Sequence, residues 1–436
     1  MALSSSMLNG ERGVVVLIVC RVLYSLPLSL LCPGLNLAIL SLFALFLDIR
    51  LDDSAALSRF KTRPGASSGI LLGAVTLPTV MISKLIQLTR AYSLQQIELQ
   101  ELEHMTMQYW ATSASCFGVL IFLCLVVLST PNTKRFPRSF SVWDATLSIF
   151  CVATYAVTCC VSLAAISHTG SNTVLKLMWE LYHGLVAVML IQRLLDKFPS
   201  CASIGELLLV TVGLVLYFGD MLACTIAKVS GSLISTELVS IKYGIRRSEI
   251  SIIIQVWRIW PLGQFIHQFM TAFTDHRDSD LLIVSHFSLL LGCALPIWMS
   301  SGFNDRPLAP FAGILSLGIG DTMASIVGYK YGVLRWSKTG KKTIEGTAAG
   351  ITSVLAACSI LLPLLASTGY IFTEHWFSLI LAVTVSSLLE AYTTQLDNAF
   401  IPLIFYSHLC LTSTFLRVFT IISKDSSSDE KLIGVQ

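Results

Sequence analysis

Apolar residues in this chain run on continuously for stretches of about 20 residues, the length an α-helix needs to cross the hydrocarbon core of a bilayer. They do not alternate at every second position, as the strands of a membrane barrel would. Lipid offers no hydrogen-bond partners, so a continuous apolar run must satisfy its own backbone as a helix. The pattern predicts crossings at 13–32, 35–48, 68–88, 110–129, 143–166, 173–192, 205–226, 281–299, 308–329, 349–369, 376–393 and 398–422. Residues 35–48 are short for a full crossing, and Pro33-Gly34 is expected to break a hairpin or re-entrant piece there. Segment 229–256 is irregular. Lys242, Arg246, Arg247 and Glu249 interrupt it, and each charge at the centre of a span costs about 2.5–3.5 kcal/mol on insertion scales. The expected fold class is an all-α polytopic membrane protein with about eleven to thirteen transmembrane helices.

The polar stretches between these runs carry sidedness. Basic connectors lie at 50–63, 134–138, 193–197 and 335–342, and basic loops face the cytosol. The first three agree by alternation, and the fourth joins them if 229–256 crosses once. Arg12 precedes the first apolar run, but Glu11 and Arg21 flank or interrupt it, so a retained helix is expected rather than a cleaved signal. The glutamine-rich stretch 95–104 reads as a solvated connector, and 423–436 as a polar tail. A membrane region at 1–256 is expected to enclose the site, and a catalytic membrane region at 257–422 to carry the chemistry.

Composition sharpens this picture. Only 13% of the 436 residues are charged, against 54% hydrophobic, and the mean hydropathy is +0.74. Every charge within an apolar run is therefore informative. A net charge of +3 without a basic stripe argues against a nucleic acid polymer as partner. The 12 cysteines lie mainly in or beside apolar segments and form no CxxC pair. They read as small buried hydrophobes, not as a disulfide framework.

The scarce polar groups concentrate in the C-terminal half. SLGIGDTMASIVGYKYG at 316–332 sets Asp321 inside a membrane-like helix, about 13 Å below the basic connector. Gly318, Gly320, Gly328 and Gly332 permit close approach of backbone or helices, and Ser325 follows Asp321 by one turn. Lys338, Lys341 and Lys342 share one loop that runs into Thr343, Glu345, Gly346 and Thr347. This suits either sidedness alone or the holding of nucleotide phosphates, with Asp321 and Glu345 as oxygen ligands for a divalent ion and Thr347 as a helix cap. No GxxxxGK[ST] follows a strand, so a P-loop is disfavoured. Glu390, Asp397 and Asn398 interrupt a second apolar stretch. Counting crossings returns them to the face of the 335–342 loop, where they complete a metal-phosphate site with Asp321 or merely end one helix and start another, with Asn398 as a cap. A third cluster spans Trp257 to Asp280, with Asp275, His276, Arg277, Asp278 and Asp280. It suits a phosphate or headgroup site or a solvated connector. His267, His276 and His286 lack any zinc-site spacing.

The linked motifs GDTMASIVGYKYG at 320–332, KKTIEGT at 341–347 and EAYTTQLDNAFIP at 390–402, with WRIWPLGQFIHQFM and FTDHRDSD at 257–280, resemble the CTP-dependent polyprenol kinase family, most closely its dolichol kinases. The resemblance implies an endoplasmic-reticulum membrane enzyme, its catalytic face cytosolic, that transfers the terminal phosphate of CTP to dolichol or a related polyprenol. It implies Asp321 and Asp397 as catalytic residues, and a divalent ion, Mg2+ or another, on Asp321, Glu390 and Asp397. Gly320, Lys341, Lys342, Thr343, Glu345, Gly346 and Asn398 are then the nucleotide-binding residues. The chain departs from the family pattern at 240–256, where no histidine follows Arg246-Arg247 and the run to Trp257 is shortened or altered. A lipid cytidylyltransferase and an ion-coupled secondary transporter, the latter using Asp321 and Glu390, are the competing classes.

Overall fold

The computed structural model describes residues 10–51, 67–129, 203–229, 284–336, 342–367, 376–393 and 396–411. The crossings expected at 143–166 and 173–192, the segment 229–256, the cluster from Trp257 to Asp280, Lys338, Lys341 and the tail lie outside the described residues. The α-helices among those described are α1 (Gly10–Tyr24), α2 (Leu31–Leu51), α3 (Ile70–Ser93), α4 (Leu99–Ser129), α5 (Ile204–Val229), α6 (Val284–Met299), α7 (Thr322–Tyr331), α8 (Ile344–Ser367), α9 (Trp376–Tyr392) and α10 (Asp397–Cys410). Segments Leu28–Leu51, Ile70–Ser93, Leu99–Leu125 and Ile344–Leu365 are long and apolar enough to cross a membrane, and 204–216, 288–299 and 376–392 are shorter apolar helices. The chain is an all-α multi-pass membrane protein.

Three expectations about boundaries change. The first break falls at Ser25–Pro27, not at Pro33-Gly34: after a 3-10 turn at Leu28–Leu30, α2 runs from Leu31 straight through both residues. Pro33 lies in the first turn of α2, where its missing N–H would have had no partner anyway. Helix α4 starts at Leu99, so much of the supposed connector 95–104 is helical. The run expected at 308–329 is not one α-helix. It opens with a 3-10 turn at Ala309–Phe311 and widens into a π-helix at Ile314–Asp321 before α7 begins.

Helix α3 is the axis of the bundle and packs against α1, α2, α4, α5 and α10. Lipid gives helices no hydrophobic reason to associate, so small side chains and hydroxyls bring them together. Thr76 and Ser83 of α3 each donate to the carbonyl four residues back, at 2.6 and 2.7 Å. The Ser83 hydroxyl also meets that of Ser407 on α10, 2.7 Å away. Helix α10 is buried from Ala399 to Cys410. Pro402 denies the Asn398 carbonyl its partner four residues on, and Gly292 of α6 sits against that oxygen so closely that a Cβ would collide with it. Pro296 frees the Gly292 carbonyl in the same way, and Gly313 sits against it. The prolines and glycines thus interlock α6, α10 and the π-helix.

One end of the bundle collects polar contacts from both halves of the chain. Arg12 and Asp48 form a buried ion pair at 2.6 Å, Ser68 donates to Asp48, and Ser67 donates to Glu11 at 2.9 Å. The Gly205 amide donates to the Ser68 carbonyl at 3.3 Å. The connector leaving α2 therefore emerges at the end where α5 begins. As described below, α10 begins there too, beside the 335–342 loop. The end of α2, which opens the first basic connector, and Lys342 of the last therefore lie at one end, the arrangement expected if 229–256 crosses once. The halves also share a core, with Val14, Leu37 and Leu85 in one cluster with Leu389, Phe400 and Ile404.

Candidate active site

The site begins with a seam between α7 and α8. Gly320, Ala324, Gly328 and Gly332 recur every four residues and so form one stripe along the π-helix and α7. Gly346 and Gly350 of α8 meet it. A Cβ on Gly346 would lie 2.6 Å from the Ala324 carbonyl, and one on Gly350 would lie 3.1 Å from that of Gly320. Close crossing at small residues is the physical role visible here for Gly320 and Gly346. Ser325 is exposed on α7.

The same seam folds the basic loop back on itself. The Ile344 amide donates to the Leu334 carbonyl at 2.8 Å, and the Trp336 amide to that of Lys342 at 3.2 Å. Glu345 accepts the Leu334 amide at 3.0 Å, so its carboxylate braces the loop and does not join the acids described next. Thr343, not Thr347, caps α8: its hydroxyl accepts the Gly346 amide at 3.2 Å. The Thr347 hydroxyl donates to the Thr343 carbonyl at 3.1 Å and accepts the Trp336 indole N–H at 2.8 Å. The Trp336 ring also leans on Tyr392 at the end of α9, with centroids 5.3 Å apart.

Held this way, Lys342 reaches the junction of α9 and α10. Its ammonium donates to the Glu390 carbonyl at 2.7 Å and to Asp397 Oδ2 at 3.1 Å, with Glu390 Oε1 at 3.9 Å. Asp321, at the end of the π-helix, lies close enough to Asp397, Lys342 and Glu390 to interact with each of them electrostatically. Three acids from three separate elements thus surround one ammonium. Burial by itself disfavours that ammonium, but Asp397, Glu390 and Asp321 outweigh it and raise the Lys342 pKa above the ordinary lysine value. Asn398 is in the first turn of α10, with Leu396 in the cap position. Its amide group points toward Ser288 of α6, 3.5 Å away. Among the described residues, no three His, Cys, Asp or Glu side chains are arranged to hold a metal ion.

Two residues escaped the sequence reading. Glu206 forms a capping box at the start of α5: Ser203 Oγ accepts the Glu206 amide at 3.2 Å, and Glu206 Oε2 accepts the Ser203 amide at 2.8 Å. Its other oxygen accepts the Leu396 amide at 2.6 Å, which ties the N-terminal half to the residue before Asp397. The Ser-x-x-Glu spacing signalled the cap, but no local signal announces the second bond. Ser386 precedes Glu390 by four residues and so shares its helix face. Its hydroxyl oxygen is buried with no hydrogen-bond partner among the described residues.

Over 94% of its length the chain is 47% identical to dolichol kinase EVAN of Arabidopsis thaliana, 99% of which is covered. The chain belongs to the dolichol kinase family. That comparison runs over 566 aligned positions, more than the 436 residues present here, so the Arabidopsis dolichol kinase contains sequence that this chain lacks. The dolichol kinase of Homo sapiens is 40% identical over 158 residues, which is 34% of this chain and 29% of the human protein. That of Saccharomyces cerevisiae is 38% identical over 144 residues, 33% of this chain and 26% of the yeast protein. These shorter matches fall in the C-terminal part, which carries Asp321, Lys342, Glu390 and Asp397. No family model matches the chain, and no solved structure matches it either.

Proposed function

We propose that this chain transfers the terminal phosphate of CTP to dolichol, yielding dolichyl phosphate and CDP. The observation that carries the reading is the convergence of Asp321, Glu390 and Asp397 on the Lys342 ammonium, in a chain of the dolichol kinase family. In the reaction the dolichol oxygen attacks the terminal phosphorus, the bond from that phosphorus to its bridging oxygen breaks, and CDP departs with the electron pair. The hydroxyl proton passes to a carboxylate of the cluster. Positioning and charge neutralisation carry most of the catalysis in such transfers. Lys342, with Lys341 beside it in sequence, counters the phosphate charge. Thr343 and Glu345 hold the loop in shape, Gly320 and Gly346 let the acids and the loop close together, and Asn398 flanks Asp397.

The donor chemistry suits a divalent cation. Carboxylate oxygens are the ligands Mg2+ prefers, and Mg2+ is commonly held by one or two carboxylates plus substrate phosphates, without a protein cage. Asp321 and Asp397, together with the substrate phosphates, would hold it, and when bound it would spread the charge of the phosphates. The positive-inside rule turns the end that bears both basic connectors toward the cytosol, in keeping with an endoplasmic-reticulum enzyme whose catalytic face is cytosolic.

The deciding experiment supplies purified protein in lipid nanodiscs with Mg2+, CTP or ATP, and dolichol or phytol, and identifies the products by mass. CTP and dolichol are expected to give dolichyl phosphate and CDP. Diphosphate release with a CDP-linked lipid would make the chain a cytidylyltransferase, and solute movement without covalent turnover would make it a transporter.

A further inference from the structure

Directly beneath the acid cluster, toward the membrane interior, the π-helix, α8, α9 and α10 line a half-open recess whose cavity volume, about 10 Å³, is room for about one water-sized group. Its polar lining comes from Glu390, Ser386, Ser387 and Ser316, and its apolar wall from Val354, Val383 and Phe405. Ser316 is satisfied by its own helix, donating to the Ala312 carbonyl at 2.7 Å. Ser386 is not. It is 3% exposed and its oxygen has no hydrogen-bond partner among the described residues, although a buried hydroxyl ordinarily finds one. Helical rise sets Ser386 about 6 Å deeper than Glu390 on the same face of α9.

We propose that this recess receives the hydroxyl of a long aliphatic alcohol whose chain lies outside it, and that Ser386 is the residue that engages that hydroxyl. The assignment rests on the phosphotransfer reading above. An aliphatic alcohol has one polar group on an apolar body, which matches a recess with a buried unsatisfied hydroxyl, a carboxylate and an apolar wall. A nucleotide does not match: its charge belongs beside Lys342, and a recess with room for about one water-sized group is far smaller than the roughly 300–1,000 Å³ of pockets that enclose whole drug-sized ligands. Glu390 stands between the pocket and Lys342, so an alcohol held by Ser386 presents its oxygen to the phosphate side while Glu390 accepts its proton. The remaining isoprenoid chain extends into lipid.

The test compares Ser386→Ala, Ser386→Thr and Ser386→Val in nanodiscs, measuring kcat and KM separately for dolichol and for CTP, with thermal unfolding as the check on folding. Loss of one hydrogen bond in Ser386→Ala is expected to lower kcat/KM for dolichol about threefold to tenfold, and Ser386→Val, which also fills the space, is expected to lower it further. Ser386→Thr is expected to retain more activity than Ser386→Val, and the KM for CTP is expected to stay unchanged in all three. Wild-type values for dolichol in Ser386→Val, or equal losses for dolichol and CTP, would overturn the subsite. If Ser386→Val does not fold, a diazirine-bearing aliphatic alcohol decides on the wild-type protein: labelling is expected on α8 or α9 facing the pocket, and labelling confined to other helices overturns the proposal. If the wild type phosphorylates no alcohol, the functional reading falls and the subsite with it. An active wild type with an indifferent Ser386 defeats the subsite alone.

Discussion

The Lys342 ammonium lies 3.1 Å from the Asp397 carboxylate, although 55 residues and two helices separate them in the chain. The contact joins the basic loop to the start of α10 and makes Lys342 the cation of an otherwise acidic cluster. Replacing it with Met leaves Asp321, Glu390 and Asp397 facing one another and removes the charge that meets the phosphates. Lys342→Met is expected to lower kcat about a hundredfold, the order seen when one stabilising donor is removed from an active site. Lys342→Arg keeps the charge but not the compact ammonium, and is expected to fall between. Steady-state kinetics with CTP and dolichol check both.

Lysine also sets an alkaline limit. The folded pKa of Lys342 is raised above its ordinary 10.5, so its contribution to stability is fully present below that value and is lost as pH rises through the folded one. Thermal unfolding of the wild type between pH 9 and 12 is expected to show a decline that begins above about 10.5. Lys342→Met is expected to lack that part of the decline; identical slopes in the two proteins would refute the linkage.

Glu206 is expected to matter beyond its cap. Ser203→Ala removes the hydroxyl that accepts the Glu206 amide and is expected to cost about 1 kcal/mol of stability, with activity nearly intact. Glu206→Ala also strips the partner from the Leu396 amide, a further cost of about 1–3 kcal/mol, and loosens the residue next to Asp397. Its kcat is expected to fall well below that of Ser203→Ala. In an Asp397→Asn background the kinetic effect of Glu206→Ala is expected to shrink toward nothing, because the residue it positions is already disabled. Double-mutant kinetics and unfolding in the same detergent separate the two effects.

The glycines are expected to rank by the space around them. A Cβ on Gly346 would lie 2.6 Å from a backbone oxygen that cannot step aside, whereas one on Gly318 meets only the Ile314 side chain at 3.7 Å, and one on Gly13 meets nothing within 4 Å. Gly346→Ala is expected to destabilise by about 1–3 kcal/mol through overpacking. Gly350→Ala, whose nearest contact is 3.1 Å, is expected to be milder, and Gly318→Ala nearly neutral. Melting temperatures of the purified variants test the order.

Much of this protein follows from its sequence alone. A continuous apolar run in lipid has to become a helix, so α3, α5, α8, α9 and α10 were legible to within a few residues at most ends. Asp321, Glu390 and Asp397 also stood out, because a charge that interrupts such a run is costly, and Lys342 stood out as part of the basic loop at 335–342. The hydropathy pattern did not show the widening of 314–321 into a π-helix, since an apolar stretch looks the same whichever way its carbonyls bond.

What joins those elements was decided only in three dimensions. The four-residue spacing of Gly320, Ala324, Gly328 and Gly332 was visible as text, but their close crossing with Gly346 and Gly350 appears only once α7 and α8 pack together. Crossing counts placed Asp397 on the face of the basic loop. The packing of α9 and α10 against the loop puts its carboxylate on Lys342, and not on Lys330 or Arg335. Glu206 lies 190 residues from the amide it holds, and Ser386 shows its unmet hydroxyl only once four helical segments have closed around it. Hydrophobicity is a property of a segment and can be read locally. A hydrogen bond between distant segments depends on how every helix between them packs, and no local pattern records that.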